Sequence, residues 1–192
     1  MSENLLTKEL GISRTPVREA LMDLERAKVV EIIPQYGSRI SLIDYSVIDQ
    51  AQFCRLSVEK EIVRLLVNLP EGTSFKELEE NLSLQEFYQT HFNPSKLMEM
   101  DNEFHHQMFR LAGKELCYEW LFKGMMVNFD RVRSISFSVV KNNTTVREHA
   151  QLLQALKTHD GEKAESLITY HLSRYKQDKP EVLKLDPSYF KN

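Results

Sequence analysis

From Ile43 to the C-terminus the sequence carries no strand-like alternation. Its apolar residues recur at helical spacing, in runs separated by local start signals, so this stretch can fold only as packed helices. The runs fall near residues 45–68, 74–90, 94–112, 115–140, 146–158 and 161–177. Ser74 with Glu77 and Thr145 with Glu148 fit capping boxes, Asn93-Pro94 puts a cap before a first-turn proline, and Asp160 precedes the last run. Six antiparallel helices in a bundle are expected, followed from Pro180 by a loosely held tail. The 192 residues are 42% hydrophobic and 28% charged, which supports a packed core and excludes wholesale disorder and collagen-like repeats.

The first 43 residues read differently. Residues 4–10 and 14–27 have helical spacing, the second run through Val17, Leu21 and Leu24, and Leu10-Gly11-Ile12-Ser13 joins them with a glycine suited to positive φ. Ser13 or Thr15 caps the second helix and Pro16 falls in its first turn. Residues 29–33 and 38–42 read as strands joined by Pro34-Gln35-Tyr36-Gly37, a hairpin wing. The chain is therefore expected to be mainly α: a winged helix-turn-helix over residues 1–43, an all-α bundle over 44–179 and a tail over 180–192. No apolar run approaches the ~20 residues that span a bilayer, and the start lacks a signal-peptide pattern, so a cytoplasmic protein is expected. Cys54 and Cys117, far apart and without a Cys-x-x-Cys, read as buried reduced thiols.

A net charge of −3 argues against nucleic-acid binding through overall field, and residues 1–41 balance six basic against six acidic residues. Residues 71–103 hold eight acids against two lysines and read as an acidic face. The local geometry is more informative. Arg14 and Arg18 lie four residues apart at the start of the second helix, where a recognition helix presents side chains to base edges. There Thr15 and backbone N–H groups can hold phosphate. Alternatively the two arginines are solvated and pair with Glu19 or Glu25.

The run Leu10-Gly11-Ile12-Ser13-Arg14-Thr15-Pro16-Val17-Arg18-Glu19-Ala20-Leu21, then Leu24-Glu25 and the wing with Gly37, closely resembles the winged helix-turn-helix of the GntR family of bacterial transcription regulators. The resemblance implies that Arg14, Thr15, Arg18 and Gly37 face DNA. Family members usually carry a further helix before the two seen here, so a truncated winged helix-turn-helix is expected. Asn4 stands where FadR-like members commonly carry a DNA-contacting arginine, which implies lowered affinity.

In the helical part, Leu97, Asp101, Phe104, His105, Met108 and Ala112 share one face, so Asp101 and His105 point inward one turn apart. A core Asp–His hydrogen bond or a divalent metal would each offset the cost of burying them. His149 shares a face with Leu152, Leu153 and Leu156, and His171 follows Leu167 and Ile168 by a turn. Together Asp101, His105, His149 and His171 suit zinc, with nickel, iron or manganese as alternatives and positions left open for a ligand. His91, His106 and His159 lie off these stripes and are expected at the surface. Two further stripes, Ile48-Gln52-Arg55-Glu59-Ile62-Leu66 and Leu121-Met125-Asn128-Val132-Ile135, are interrupted by Arg55 and Asn128. These two residues can bind the carboxylate and hydroxyl of a small acid, or can simply pair with Glu59 and a buried backbone group.

Asp-x-x-x-His on one helix, with one histidine on each of two later helices, resembles the FCD ligand domain of FadR-like GntR regulators over residues 45–175. The resemblance implies a bound metal that helps hold a small carboxylate effector. The expected function is a homodimeric, non-enzymatic transcription regulator whose effector alters the binding of an inverted-repeat operator. The alternatives are a metal and organic-acid-binding module without DNA binding and a metal-dependent hydrolase.

Overall fold

The computed structural model describes residues 2–139, 144–185 and 187–191. Two short helices, α1 (Glu3–Leu10) and α2 (Arg14–Arg26), are followed by strands β1 (Val30–Ile33) and β2 (Gly37–Ile40). Ser2 caps α1 by accepting from the Leu5 N–H, and Gly11 ends it at φ 65°, the left-handed turn that the glycine was expected to supply. Ser13 occupies the N-cap of α2. The strands pair antiparallel, with Val30 opposite Ile40 and Ile33 opposite Gly37; β1 starts one residue later than expected, and β2 starts one residue earlier and ends two earlier. Gly37 has φ 105° at the wing tip, a conformation that disfavours any residue with a Cβ. Val17, Leu21 and Val30 form the small core that holds α2 against the wing.

The helical part comprises α3 (Tyr45–Val67), α4 (Lys76–Thr90), α5 (Pro94–Leu111), α6 (Glu115–Gly124), α7 (Val127–Val139), α8 (Thr145–Lys157), α9 (Gly161–Ser173) and α10 (Tyr175–Leu185). Asp44, Asn93 and Asp160 cap α3, α5 and α9, accepting from Ser46, Lys96 and Lys163 N–H groups at 2.8, 3.1 and 3.1 Å. Helix α3 packs on α9, α9 on α8, and α4 on α5. Ile62, Val63, Leu66, Phe104, Met108, Leu152, Leu156 and Ile168 form the continuous core between them. Among the described residues no helix is long and apolar enough to cross a membrane.

Four expectations change. The single helix over 115–140 breaks at Gly124, where a helical residue without a side chain costs about 1 kcal/mol relative to alanine. The break shifts the register, so Met125 is exposed and Met126 takes the buried position, while Leu121, Asn128 and Val132 remain inside. The capping boxes also move. Phe75 takes the N-cap of α4, leaving Glu77 to pair with Arg110, and Thr144 takes that of α8, its hydroxyl donating to Glu148. Cys54 and Cys117 are free but only half-buried.

The fourth change concerns the C-terminal segment, expected as a loose tail. The helix expected over 161–177 ends at Ser173, and α10 then runs from Tyr175 through Pro180 to Leu185. Beyond it Ile43 and Phe190 form a parallel bridge. The Ile43 N–H donates to the Tyr189 carbonyl at 2.8 Å and the Lys191 N–H to the Ile43 carbonyl at 2.9 Å. Phe190 is buried and stacks on Tyr45 with ring centroids 5.8 Å apart. The periodicity of this segment is weak because few of its residues are apolar; Val182 and Phe190 hold it by docking into a cavity that only the folded bundle creates. Phe190→Ala should destabilise the protein by about 3 kcal/mol, read as a lowered Tm and faster tryptic cleavage after Lys184; an unchanged protease profile would contradict this packing.

Candidate functional site

The residues expected to face DNA lie at the start of α2 and at the wing tip. Thr15 and Arg18 are exposed there, and Arg14 is exposed while its Nε reaches Glu3 at 2.7 Å. Glu25, offered above as a partner for the arginines, instead accepts from the Ile32 N–H at 3.2 Å. A solvated pair such as Arg14–Glu3 contributes at most about 1 kcal/mol, so phosphate or a base edge can replace Glu3 at little cost. Beside Gly37, Tyr36 is 86% exposed at the wing tip, and Arg39 pairs with Glu31 at 2.8 Å.

The second site is inside the bundle. Asp101 and His105 on α5, His149 on α8 and His171 on α9 each present one donor atom, all within 4.8 Å of one another. The three Nε2 atoms converge, with His171 at 3.2 Å from His105 and 3.3 Å from His149. Each Nδ1 faces an acceptor on another helix: Glu59 on α3 for His105 at 2.6 Å, Gln85 on α4 for His149 at 2.8 Å, and Glu148 on α8 for His171 at 2.8 Å. The Gln85 amide is turned this way because its nitrogen donates to Asn81 at 2.7 Å. These acceptors place the ring proton on Nδ1, so the three Nε2 lone pairs point at one another, an arrangement that a shared cation relieves. Asp101 and His105, weighed above as a hydrogen-bonded pair, bond to other groups: Asp101 to Arg133 and His105 to Glu59.

Arginines back the carboxylates. Arg55 Nε bonds Glu59 at 2.6 Å, Arg174 bonds Glu148 at 3.1 Å, and Arg133 bonds Asp101 and, at 2.8 Å, Asp130. Arg174 also approaches Asp178 at 3.7 Å. Five carboxylates thus face three arginines, an excess of two negative charges if the histidines are neutral, which a divalent cation would balance. Burial alone would raise the Glu59 carboxyl, but Arg55 and His105 outweigh it and hold the group at about 2. The same contest, with Arg133 and the imidazoles as the stronger side, holds Asp101 far below the usual carboxylate range. Burial pushes the imidazole of His105 down and that of His149 well down, so both favour the neutral form that ligates metal.

A small cavity opens beside Asp101 and His171, lined also by Gln52, Arg55, Arg133 and Tyr175. Its volume of about 60 Å³ has room for roughly four to six water-sized groups. Arg55 reaches it with Nη2 unpaired among the described residues. Asn128 is buried but does not line it; its carbonyl accepts from Arg131 at 3.3 Å. His91, His106 and His159 lie elsewhere, bonded to the Phe87 carbonyl, Glu115 and the Val67 carbonyl. Sequence reasoning placed Glu59 on the inward face of α3 but assigned Glu148 to a helix cap. It passed over Gln85 and Arg133, polar residues within α4 and α7, and Arg174, which caps the C-terminus of α9.

The chain resembles regulators of transcription along nearly its whole length. The HTH-type transcriptional repressor RspR of Escherichia coli (strain K12) is 26% identical over 191 residues, covering 99% of this chain and 83% of RspR. An HTH-type transcriptional regulator in an unstable DNA locus of Streptomyces ambofaciens is 28% identical over 193 residues, covering 99% of this chain and 80% of that protein. Among solved structures, E. coli McbR/YncC superposes with a TM-score of 0.76 at 19% identity, over 96% of this chain and 86% of that one. A transcriptional regulator from Rhodococcus sp. RHA1 does so with a TM-score of 0.69 at 17% identity, over 97% and 87%. The profile of the bacterial regulatory proteins of the gntR family matches residues 1–40, over the helix-turn-helix and wing. Because the FCD domain profile matches residues 51–174, across every donor of the buried cluster, the chain belongs to the FCD-containing GntR family and is a DNA-binding transcription regulator rather than an enzyme.

Proposed function

We propose that the helical part of this regulator binds a divalent metal through Asp101, His105, His149 and His171, and beside it a small carboxylic acid that modulates operator binding. The observation that carries this reading is the convergence of three Nε2 atoms, that of His171 lying 3.2 and 3.3 Å from those of His105 and His149, each with its Nδ1 bonded to an acceptor from a surrounding helix. The nitrogen-rich donor set without thiolate suits zinc first, with nickel, iron and manganese as alternatives. Bound there, the metal supplies a Lewis-acid anchor for the ligand's carboxylate. The protein's own part is to aim the imidazoles through Glu59, Gln85 and Glu148, to keep His105 and His149 neutral by burial, and to offer Arg55 Nη2 to the acid from the cavity wall.

The cavity is joined to the DNA-binding part. Tyr175 and Asp178 of α10 line it, and the chain beyond α10 pairs with Ile43, between the wing and α3. An acid that shifts α10 therefore bears on the root of the wing. In a cytoplasmic homodimer reading an inverted repeat, that shift alters the spacing of two recognition helices, and an effector needs differential affinity for only one spacing to change DNA occupancy. Arg14, Thr15, Arg18 and Gly37 make the operator contacts in this reading.

Asp101→Ala and His149→Ala should abolish stoichiometric metal uptake measured by elemental analysis and calorimetry, and Glu59→Gln should weaken it about 10–100-fold; full metal in the first two variants would remove the site assignment. Arg18→Ala should weaken operator binding by about 1–3 kcal/mol in fluorescence anisotropy, and unchanged affinity would move the recognition surface elsewhere. The metal-free protein should lose stability as pH falls through about 6.5. Below that value unfolded imidazoles take up protons that buried His105 and His149 resist, so the unfolded state binds more protons. Glu59, held at about 2 against 4.5, acts in the same direction: its contribution is present above pH 4.5 and is lost as the pH falls toward 2. Thermal melts between pH 8 and 5 check this, and the Tm gained on adding zinc should shrink over the same interval.

A further inference from the structure

The DNA-binding part and the bundle are joined by a short connection, residues 41–44, between β2 and α3. The Ser41 N–H donates to the Val29 carbonyl at 2.9 Å, which ties the first of these residues to the wing. The Asp44 carboxylate accepts from the Ser46 N–H at 2.8 Å, which ties the last to α3. Leu42 and Ile43 remain as the hinge. No helix or strand within residues 3–40 packs on a helix of the bundle beyond isolated contacts among the described residues, and the small core of Val17, Leu21 and Val30 is separate from the cores of the bundle. The orientation of the recognition helix relative to the bundle therefore rests on the hinge, since a few residues that change φ and ψ are enough to swing a domain.

The C-terminal segment holds that hinge on three sides. Ile43 is 1% exposed, and both of its backbone groups are taken, its N–H by the Tyr189 carbonyl and its carbonyl by the Lys191 N–H. A turn of 3-10 helix, Pro187–Tyr189, delivers the segment to this position. Phe190 is buried in one cluster with Ile43, Met126 and Val182 and stacks on Tyr45, the first residue of α3. The Lys191 ammonium reaches the Asp44 carboxylate at 2.9 Å. Backbone, apolar and ionic contacts from three successive residues thus converge on the connection. Both the connection and the segment fall outside the spans matched by the two family profiles, residues 1–40 and 51–174.

We infer that Tyr189, Phe190 and Lys191 are positioning residues for DNA binding: they clamp the Leu42–Ile43 hinge and so fix the angle at which the recognition helix leaves the bundle. A hinge free to swing spends only a fraction of its time in the orientation that fits both half-sites of an operator, and the apparent affinity falls by that fraction. The clamp removes this loss before DNA arrives, and it needs neither metal nor acid. It acts mainly through the backbone of Ile43. A side chain at position 191 that spares the N–H therefore retains most of the effect, whereas proline, which has no N–H, does not.

The test reads the angle directly. Spin labels on Glu9→Cys in α1 and Gln154→Cys in α8, both exposed, with Cys54→Ala and Cys117→Ala, report the distance between the two parts by pulsed dipolar spectroscopy. Labelled full chain is diluted into unlabelled protein, so that only distances within one chain count. Wild type and Lys191→Ala should give a narrow distribution, and Lys191→Pro one about twice as wide or wider. The helical circular dichroism of Lys191→Pro should match wild type, so that widening is not a sign of unfolding. In anisotropy titrations with a duplex selected by wild type from a randomised pool, Lys191→Pro should bind about tenfold more weakly. Lys191→Ala, which loses only a solvated ion pair, should stay within about twofold. A wide distribution in wild type, equal widths in wild type and Lys191→Pro, or unchanged operator affinity despite widening overturns the inference. The operator arm rests on the homodimer proposed above: selection of a lone half-site overturns that reading and the positioning role with it, while the widths still show whether the hinge is clamped.

Discussion

Three imidazoles with their Nε2 atoms turned toward a common point are the interaction on which the helical part is organised. The arrangement is unfavourable by itself, since lone pairs are brought to 3.2–3.3 Å of one another inside the bundle. It is held because every Nδ1 is pinned by an acceptor from α3, α4 or α8, and two of those acceptors are pinned by Arg55 and Arg174. Breaking one member leaves a charge buried without its partner, which typically costs 3–5 kcal/mol. The cluster therefore constrains the relative placement of five helices as firmly as the apolar core does, and a cation at its centre would tie them further.

The same network engages most of the charged groups around the cavity. Arg133 and Arg174 are already bound by Asp101, Asp130, Glu148 and Asp178, so they shape the field but have little capacity left for a further partner. Among the described residues, the buried side-chain atoms without a hydrogen-bond partner that line the cavity belong to Gln52 and Arg55. The residues at the start of α2 follow the opposite logic. Arg14 and Arg18 are exposed, and Arg14 is held by a solvated pair with Glu3, so contacts outside the chain would replace it with small loss. Between the two surfaces, α10 and the Phe190–Ile43 bridge form a physical link from the cavity wall to the root of the wing.

Much of this was legible from residue order. Local signals set the helix starts at Asn93-Pro94 and Asp160, the left-handed glycines at positions 11 and 37, and the inward faces of α3, α5 and α8. All depend on interactions within a few residues, so the chain displays them before it folds. Asp101, His105, His149 and His171 were visible in the same way, as polar interruptions on otherwise apolar stripes.

What only the tertiary structure decided is which of those inward groups meet. Glu148 looks like a capping residue, but its carboxylate instead joins the Thr144 hydroxyl, Arg174 and His171. Met126 replaces Met125 inside because the helix breaks at Gly124, and α10 docks because the bundle has already built the cavity that Val182 and Phe190 fill. These outcomes rest on contacts between residues far apart in the chain, such as Glu59 with His105 or Phe190 with Tyr45, which no local spacing encodes. The sequence by itself determined the helices, the turns and the chemical kinds of the donors; tertiary packing determined their partners, because a buried polar group is satisfied by whatever the fold brings beside it.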